Sequence, residues 1–181
     1  MSKILVVVDA QEDFVRGALG TKEAQEALPV IQQVVDYAAL NFSKPVYYTK
    51  DTHIFNYLDT QEGRNLPVKH CIEGTPGWKI CREVLTDTCQ IVKKRTFGHI
   101  GWTNDRFGTD TSEIWICGFC TDICVMANFQ ILKALYPEVP IIIIEDACAG
   151  VSPDLHEAAL KVMKSCQARV VKWKELKEEN T

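Results

Sequence analysis

Short apolar runs that alternate with longer segments of helical period constrain the fold of this 181-residue chain more than any other feature. The first run, residues 4–8, is rich in β-branched side chains and ends at Asp9, which is typical of a buried parallel strand. Further strands are predicted at residues 45–49, 90–93, 112–119, 141–144 and 168–171, and helices at residues 23–41, 122–135 and 153–165. This alternation predicts a single α/β domain over residues 1–181, with three α/β/α layers and a six-stranded, mainly parallel sheet. The charged tail from Lys172 is expected to be exposed.

Composition excludes several classes of function. Lys and Arg number 20 and Asp and Glu number 24, so the formal net charge of −4 argues against a nucleic-acid binder. No apolar run approaches the roughly 20 residues of a membrane span, and residues 1–3 lead into the first strand without a targeting segment. We therefore expect a soluble, cytoplasmic protein that has neither nucleic acid nor a membrane as its partner. Its eight cysteines are expected to be reduced thiols, most of them packed as small apolar side chains.

Reactive side chains follow four of the predicted strands: Asp9, Asp51 with His53, Lys94, and Cys124. Ligands in open α/β sheets bind outside the carboxyl ends of the strands, so these residues are candidates for one site. Cys124 is predicted in the first turn of a helix, where the helix dipole lowers the pKa of a thiol. Asp9 is then a candidate general base, and Lys94 a candidate to stabilise the thiolate. The alternatives are a buried core cysteine and a solvated lysine.

The irregular segment 51–77 is too long for a bare connection and is predicted to be functional. Asp51 and His53 are two residues apart on an extended chain and point the same way, and Glu62 and His70 lie in the same segment. This mixture of oxygen and nitrogen ligands suits Zn²⁺, Mn²⁺ or Fe²⁺. The alternative is a pair of surface histidines with incidental acidic neighbours.

Two other features of the sequence are interpreted as structural and not as functional sites. Cys117 and Cys120 have the spacing of a redox or zinc motif, but Cys117 belongs inside a predicted strand and no second pair accompanies it. His99 and His156 are interpreted as surface or capping residues.

Three segments, in this order, resemble the motifs of the isochorismatase-like cysteine hydrolase superfamily, which includes nicotinamidase, N-carbamoylsarcosine amidase and isochorismatase. They are VVDAQEDF at residues 7–14, KRTFG at residues 94–98 and GFCTDICV at residues 118–125. The resemblance spans most of the chain, from residue 6 to about residue 149, and implies a Rossmann-type fold.

The resemblance assigns Asp9, Lys94 and Cys124 as a catalytic triad that cleaves an amide through a thioester on the cysteine. It also implies a cis peptide bond between Phe119 and Cys120, with the N–H groups of Cys120 and Cys124 as the oxyanion hole. Isochorismatases lack the cysteine nucleophile, so Cys124 indicates the amidase branch.

Within that branch, residues 51–53 and 67–75 resemble the metal loop of nicotinamidases. The implied cofactor is a divalent metal, with zinc favoured over iron or manganese, and the implied ligands are Asp51, His53, Glu62 and His70. The expected substrate-binding residues are Phe14, Phe97 and Cys120. Thr52 stands where the family often has tryptophan, a further histidine is missing around residues 57–59, and residues 98–100 depart from the usual Ser-Ala-Phe.

The favoured activity is hydrolysis of nicotinamide to nicotinate and ammonia, as in NAD salvage, by a homodimer or homotetramer. One alternative is a related amidase that acts on a carbamoyl or ureido substrate. Others are a thiol redox or metal-binding module and a catalytically silent oligomeric binding protein.

Overall fold

The computed structural model describes residues 1–103 and 105–180, in which a six-stranded sheet is flanked by helices. The strands are β1 (Ser2–Val8), β2 (Val46–Asp51), β3 (Cys89–Lys94), β4 (Thr111–Phe119), β5 (Ile141–Ala149) and β6 (Arg169–Val171). The helices are α1 (Glu12–Val15), α2 (Lys22–Asn41), α3 (Gln61–Asn65), α4 (Met126–Leu135), α5 (Pro153–Ser165) and α6 (Trp173–Glu179). Every pairing between these strands is parallel, which confirms the predicted fold class.

The strand order is β3-β2-β1-β4-β5-β6, so β2 and β3 lie on one side of β1, and β4, β5 and β6 lie on the other. The order therefore switches direction between β1 and β4. Residues 4–8 of β1 are almost fully buried, because the strand lies in the middle of the sheet and has helices on both faces. In sheets of this topology, the crevice beside the carboxyl ends of the two central strands is the usual ligand site. The side chains that follow β1 and β4 therefore lie where a small molecule can bind.

The helices form two layers, as right-handed crossovers require. On one face, Tyr37 of α2 packs against Trp173 of α6, with 5.4 Å between ring centroids, while α4 and α5 pack together on the other. The prediction of an exposed tail after Lys172 is wrong, because Trp173 and Leu176 of α6 are buried. The Trp173 ring also contacts Trp115 of β4, so the tail covers the sheet.

Several element bounds differ from those predicted. Asp51 and Lys94 are the last residues of β2 and β3, where they pair directly in register. The segment 51–77 contains a 3₁₀ turn at Tyr57–Asp59 as well as α3. Across the described parts of the chain, none of the helices combines the length and apolar character needed to cross a membrane.

Candidate active site

The turn after β4 presents Cys124 at the carboxyl edge of the sheet. Gly118 precedes this turn with a φ of 118°, and a Cβ on it would lie 2.0 Å from the carbonyl oxygen of Val8 on β1. Only glycine permits so close an approach of the two strands. The peptide bond between Phe119 and Cys120 is cis, as predicted. A π-helical turn, Thr121–Val125, then leads into α4, in place of the α-helical turn expected from residue 122.

Asp9, Lys94 and Cys124 converge as predicted. Lys94 Nζ lies 2.6 Å from Asp9 Oδ2 and 3.4 Å from Cys124 Sγ. Asp9 has a φ of 47° and its Oδ1 accepts a hydrogen bond of 2.7 Å from Thr49 Oγ1, so its carboxylate is held from two sides. The Asp9 and Lys94 side chains are 0% and 1% exposed, which makes this a desolvated ion pair next to a thiol.

The electrostatics of the cysteine differ from the sequence prediction. Burial raises the pKa of the Cys124 thiol well above its ordinary value, and the Lys94 ammonium acts in the opposite direction. The prediction of a lowered pKa considered the helix terminus alone, whereas desolvation is the larger influence in the structure. Burial likewise raises the pKa of the Asp9 carboxyl, against the influence of Lys94. A carboxyl with a raised pKa is better able to hold a proton during a reaction.

The four predicted metal ligands also come together. One ligand atom from each of Asp51, His53, Glu62 and His70 lies within 4.8 Å of the others. His53 Nε2 lies 2.9 Å from Asp51 Oδ2 and 3.5 Å from Glu62 Oε1, and His70 Nε2 lies 3.6 Å and 3.7 Å from the same two oxygens. The Asp51 carboxylate also accepts a hydrogen bond of 3.2 Å from Lys94, which links the metal-ligand group to the triad.

The donor set fits a divalent cation. The buried His53 Nε2 has no hydrogen-bond partner in acceptable geometry, although it faces Asp51 Oδ2. His70 Nδ1 lies 2.8 Å from the carbonyl oxygen of Val68, so Nδ1 is the protonated nitrogen and Nε2 has a free lone pair. Two imidazole nitrogens and two carboxylates whose ligand atoms lie within 4.8 Å of one another suit zinc, iron or manganese.

The backbone around the ligands is fixed by two side chains of the segment 7–14. Gln11 is fully buried, accepts a hydrogen bond from the backbone N–H of Asp51 at 2.7 Å, and donates to the Asp51 carbonyl at 2.9 Å. Asp13 Oδ2 accepts from the backbone N–H of Cys71 at 2.7 Å, and His53 N donates to the carbonyl of Cys71 at 2.9 Å. The two histidine ligands are thus brought together by contacts that start near β1.

A cavity of about 1030 Å³ connects both groups. The metal-ligand group and Cys124 line it together with all three predicted substrate-binding residues, Phe14, Phe97 and Cys120. Phe14 is buried and packs edge-on against His70 at 5.7 Å between centroids, whereas Phe97 is 49% exposed. The cavity can therefore enclose a flat ring between an aromatic wall, the metal-ligand group and the thiol.

Two histidines have more specific surroundings than predicted. His156 is half-buried, and its Nδ1 lies 2.8 Å from Thr121 Oγ1, so it braces the turn that carries Cys124. His99 packs its ring against Trp102 at 4.8 Å between centroids. Neither is an isolated surface residue, because His156 contacts the turn that carries Cys124 and His99 packs against the buried Trp102.

Four polar side chains that support the site had no role predicted from the sequence: Gln11, Thr49 and Asn128, which are buried, and Asp13, which is half-buried. Gln11 and Asp13 lie inside the motif at residues 7–14 that resembles the family, and that motif was the sequence signal for their roles. Asn128 is a polar residue on an apolar helix, four positions after Cys124. That spacing places both residues on one helix face and is itself a signal.

All eight cysteines are free thiols in the structure. Cys117 is buried inside β4 and burial raises its pKa, so the structure does not favour a reactive Cys117–Cys120 pair. The thiol that faces both a cation and a cavity is Cys124.

This chain is similar over most of its length to proteins of known family. Residues 3–175 match the isochorismatase domain. Nicotinamidase/pyrazinamidase of Mycobacterium tuberculosis (strain ATCC 25618 / H37Rv) is 26% identical, with 93% of this chain and 98% of that protein aligned. The crystal structure of Pyrococcus horikoshii pyrazinamidase in complex with zinc matches with a TM-score of 0.81 and 27% identity, over 96% of this chain and 100% of that one. N-carbamoylsarcosine amidase from Thermoplasma acidophilum matches with a TM-score of 0.76 and 26% identity, over 95% and 96% of the two chains.

Proposed function

The chain belongs to the isochorismatase domain family and is an amidohydrolase, and on that premise we propose that it hydrolyses nicotinamide to nicotinate and ammonia. The observation that carries this proposal is the contact of 3.4 Å between Cys124 Sγ and Lys94 Nζ at the wall of a cavity that also contains the metal-ligand group. A nucleophile and a site for a ring nitrogen are then present in one cavity, as hydrolysis of a pyridine amide requires.

In the first half of the reaction, Asp9 accepts the proton of the Cys124 thiol and Lys94 stabilises the thiolate. The sulfur attacks the amide carbonyl carbon, and the backbone N–H groups of Cys120 and Cys124 donate to the resulting oxyanion. The carbon–nitrogen bond then breaks, and Asp9 returns its proton to the departing nitrogen, so that ammonia leaves and a thioester remains.

In the second half, Asp9 removes a proton from water, and the hydroxide attacks the thioester carbonyl. The carbon–sulfur bond breaks and Asp9 returns its proton to the departing sulfur, which restores the Cys124 thiol. Nicotinic acid leaves and loses its own proton to water as nicotinate. The raised pKa of Asp9 suits this double role, because the same carboxyl must accept and release a proton in each half.

We propose that Asp51, His53, Glu62 and His70 bind one divalent metal, zinc in preference to iron or manganese. Bound there, the metal supplies a Lewis acid for the pyridine nitrogen of the substrate. Phe14 packs against the ligand His70, and Cys124 lines the same cavity, so a ring held by these groups would lie in one cavity with the thiol.

An ammonia-release assay with nicotinamide and pyrazinamide tests the proposal. The parent protein is expected to release ammonia from both, and Cys124→Ala to release none, since the thioester cannot form. Cys166→Ala is the matched control because Cys166 lies outside the cavity, 3.5 Å from Gln130, and it should retain full activity. Full activity in Cys124→Ala would exclude the thioester mechanism.

A second candidate is an amidase for a carbamoyl or ureido substrate, which the similarity to N-carbamoylsarcosine amidase favours. Metal analysis separates the two. In the nicotinamidase-like enzyme, His53→Ala should reduce a stoichiometric metal content and the activity together, whereas Asp59→Ala, at an exposed acid of the same segment, should change neither. Turnover of a ureido substrate by metal-free protein would favour the second candidate.

We further propose that residues 1–181 form one domain that acts as a cytoplasmic homodimer or homotetramer. Nicotinate, the proposed product, would serve NAD salvage. Size-exclusion chromatography with light scattering tests the assembly, and a monomer at all concentrations would refute it.

A further inference from the structure

Asn128 is a fully buried amide one helical turn after Cys124. Its Nδ2 donates to the carbonyl of Cys124 at 2.8 Å and to that of Phe97 at 3.4 Å. Its Oδ1 accepts from the backbone N–H of His99 at 3.0 Å and from Trp102 Nε1 at 2.8 Å. One side chain thus joins the turn that carries the nucleophile to two parts of the loop after β3.

The amide of Asn128 has no spare hydrogen-bonding capacity. An amide offers two donor hydrogens and two acceptor lone pairs, and all four are used here. The reverse orientation would place the NH₂ group against two N–H donors and the oxygen against two carbonyls, so the contacts fix the orientation. Such a network is well defined only while every member is satisfied.

These bonds do not stabilise the helix as such. Asparagine is an unfavourable residue inside a helix, and burial of an amide is costly unless it is fully paired. The bonds instead hold the loop against α4, where a Cβ on Gly98 would lie 2.5 Å from Ile131 Cδ1 and 3.1 Å from the carbonyl oxygen of Ala127. The loop backbone and the helix therefore touch directly at this point.

The loop held in this way carries a wall of the cavity. Thr96 and Phe97 both line it, and half of the Phe97 side chain is exposed, so the ring has little packing of its own to fix it. The loop continues to Trp102, which is buried. The position of the Phe97 backbone consequently depends on its bond to Asn128 and on the anchoring of the residues that follow.

We propose that Asn128 is a positioning residue that couples the Phe97 wall to the Cys124 turn, so that one side chain sets the distance between the bound ring and the sulfur. The inference rests on the proposed amidase function and adds to it a determinant of substrate fit. Small errors matter here, because a displacement of about 1 Å in a reacting group can cost about 100-fold in rate.

Three variants separate this role from a structural one. Asn128→Leu removes all four bonds, Trp102→Phe removes one bond on the loop side, and Tyr48→Phe removes a buried bond of 2.6 Å to the Val84 carbonyl, outside the cavity. We expect Asn128→Leu to lower kcat/KM for nicotinamide at least ~10-fold, with both kcat and KM changed. Trp102→Phe should raise KM and leave kcat unchanged, and Tyr48→Phe should have parental kinetics. Parental kcat and KM in Asn128→Leu would overturn the proposal.

A second measurement does not depend on the identity of the substrate. The rate at which iodoacetamide alkylates Cys124, followed by peptide mass spectrometry, should change at least ~10-fold in Asn128→Leu and not in Tyr48→Phe. If the parent protein hydrolyses no amide, the proposed function fails while this rate still tests the coupling, and an unchanged rate overturns it. Asn128→Asp keeps both acceptor contacts and loses both donor contacts, to the carbonyls of Cys124 and Phe97, so it replaces Asn128→Leu if that variant does not fold.

Discussion

Replacement of Lys94 by methionine removes a buried cation and nearly preserves the volume of the side chain. Lys94 Nζ lies 2.6 Å from Asp9 and 3.2 Å from Asp51, and its side chain is 1% exposed. Asp51 has histidine neighbours and belongs to the metal-ligand group, so the carboxylate of Asp9 is the one that loses its partner. An ion pair broken on one side leaves an uncompensated buried charge, which costs about 3–5 kcal/mol of unfolding free energy.

The loss of unfolding free energy in Lys94→Met depends on pH in a defined direction. Burial already raises the pKa of Asp9 above its ordinary value, and loss of the opposing influence of Lys94 raises it further. A carboxyl with a raised pKa in the folded state contributes stability at low pH and loses that contribution as the pH rises through the folded pKa. The stability difference between the parent and Lys94→Met should therefore be larger at about pH 8 than at about pH 5.

Urea unfolding at both pH values measures this difference, provided that the denaturant slope is the same in each protein. The double variant Asp9→Asn/Lys94→Met is the control, because it has no unpaired carboxylate at this position. It should recover most of the lost stability and lack the added pH dependence, while both variants remain inactive. A Lys94→Met protein within about 1 kcal/mol of the parent at both pH values would refute the reasoning.

Three further substitutions test separate parts of the structure. Gly118→Ala should lower the unfolding free energy by at least about 3 kcal/mol, because the new Cβ would lie 2.0 Å from the Val8 carbonyl oxygen at a φ of 118°. Trp173→Ala should cost about 3–5 kcal/mol in the same urea experiment, since its ring is buried. Gln11→Leu should weaken metal binding about 10–100-fold in a chelator competition, because Gln11 holds the backbone of the ligand Asp51.

Each of these expectations can fail clearly. A Gly118→Ala protein with parental stability would mean that β1 and β4 are farther apart than the structure has them. A small effect of Trp173→Ala would place α6 in solvent, as predicted from the sequence. Unchanged metal affinity in Gln11→Leu would assign the placement of Asp51 to its strand alone.

The fold was predictable because its signals are local. The β-branched run at residues 4–8 requires burial on both faces of a sheet, and the helical period of residues 23–41 requires a covering helix. The exposed tail after Lys172 was predicted wrongly for the opposite reason. The charges of that segment are local, but the pocket for Trp173 is formed by Tyr37 and Trp115, which are distant in sequence.

The candidate site was predictable as a set of residues but not as an arrangement. Motifs in the sequence identified Asp9, Lys94 and Cys124, and the structure places Lys94 within reach of the other two. The direction of the thiol pKa was predicted wrongly, because burial depends on atoms from several segments, whereas the helix terminus is visible in one.

Local periodicity and short motifs were therefore sufficient for the existence of the six strands, the three longer helices and the reactive side chains, because each depends on neighbours a few positions away. The order of the strands, the approach of His53 to His70 and the fourfold pairing of Asn128 required the folded chain. Those features join segments tens of residues apart, and their energies depend on desolvation and geometry that exist only after the sheet and its loops have packed.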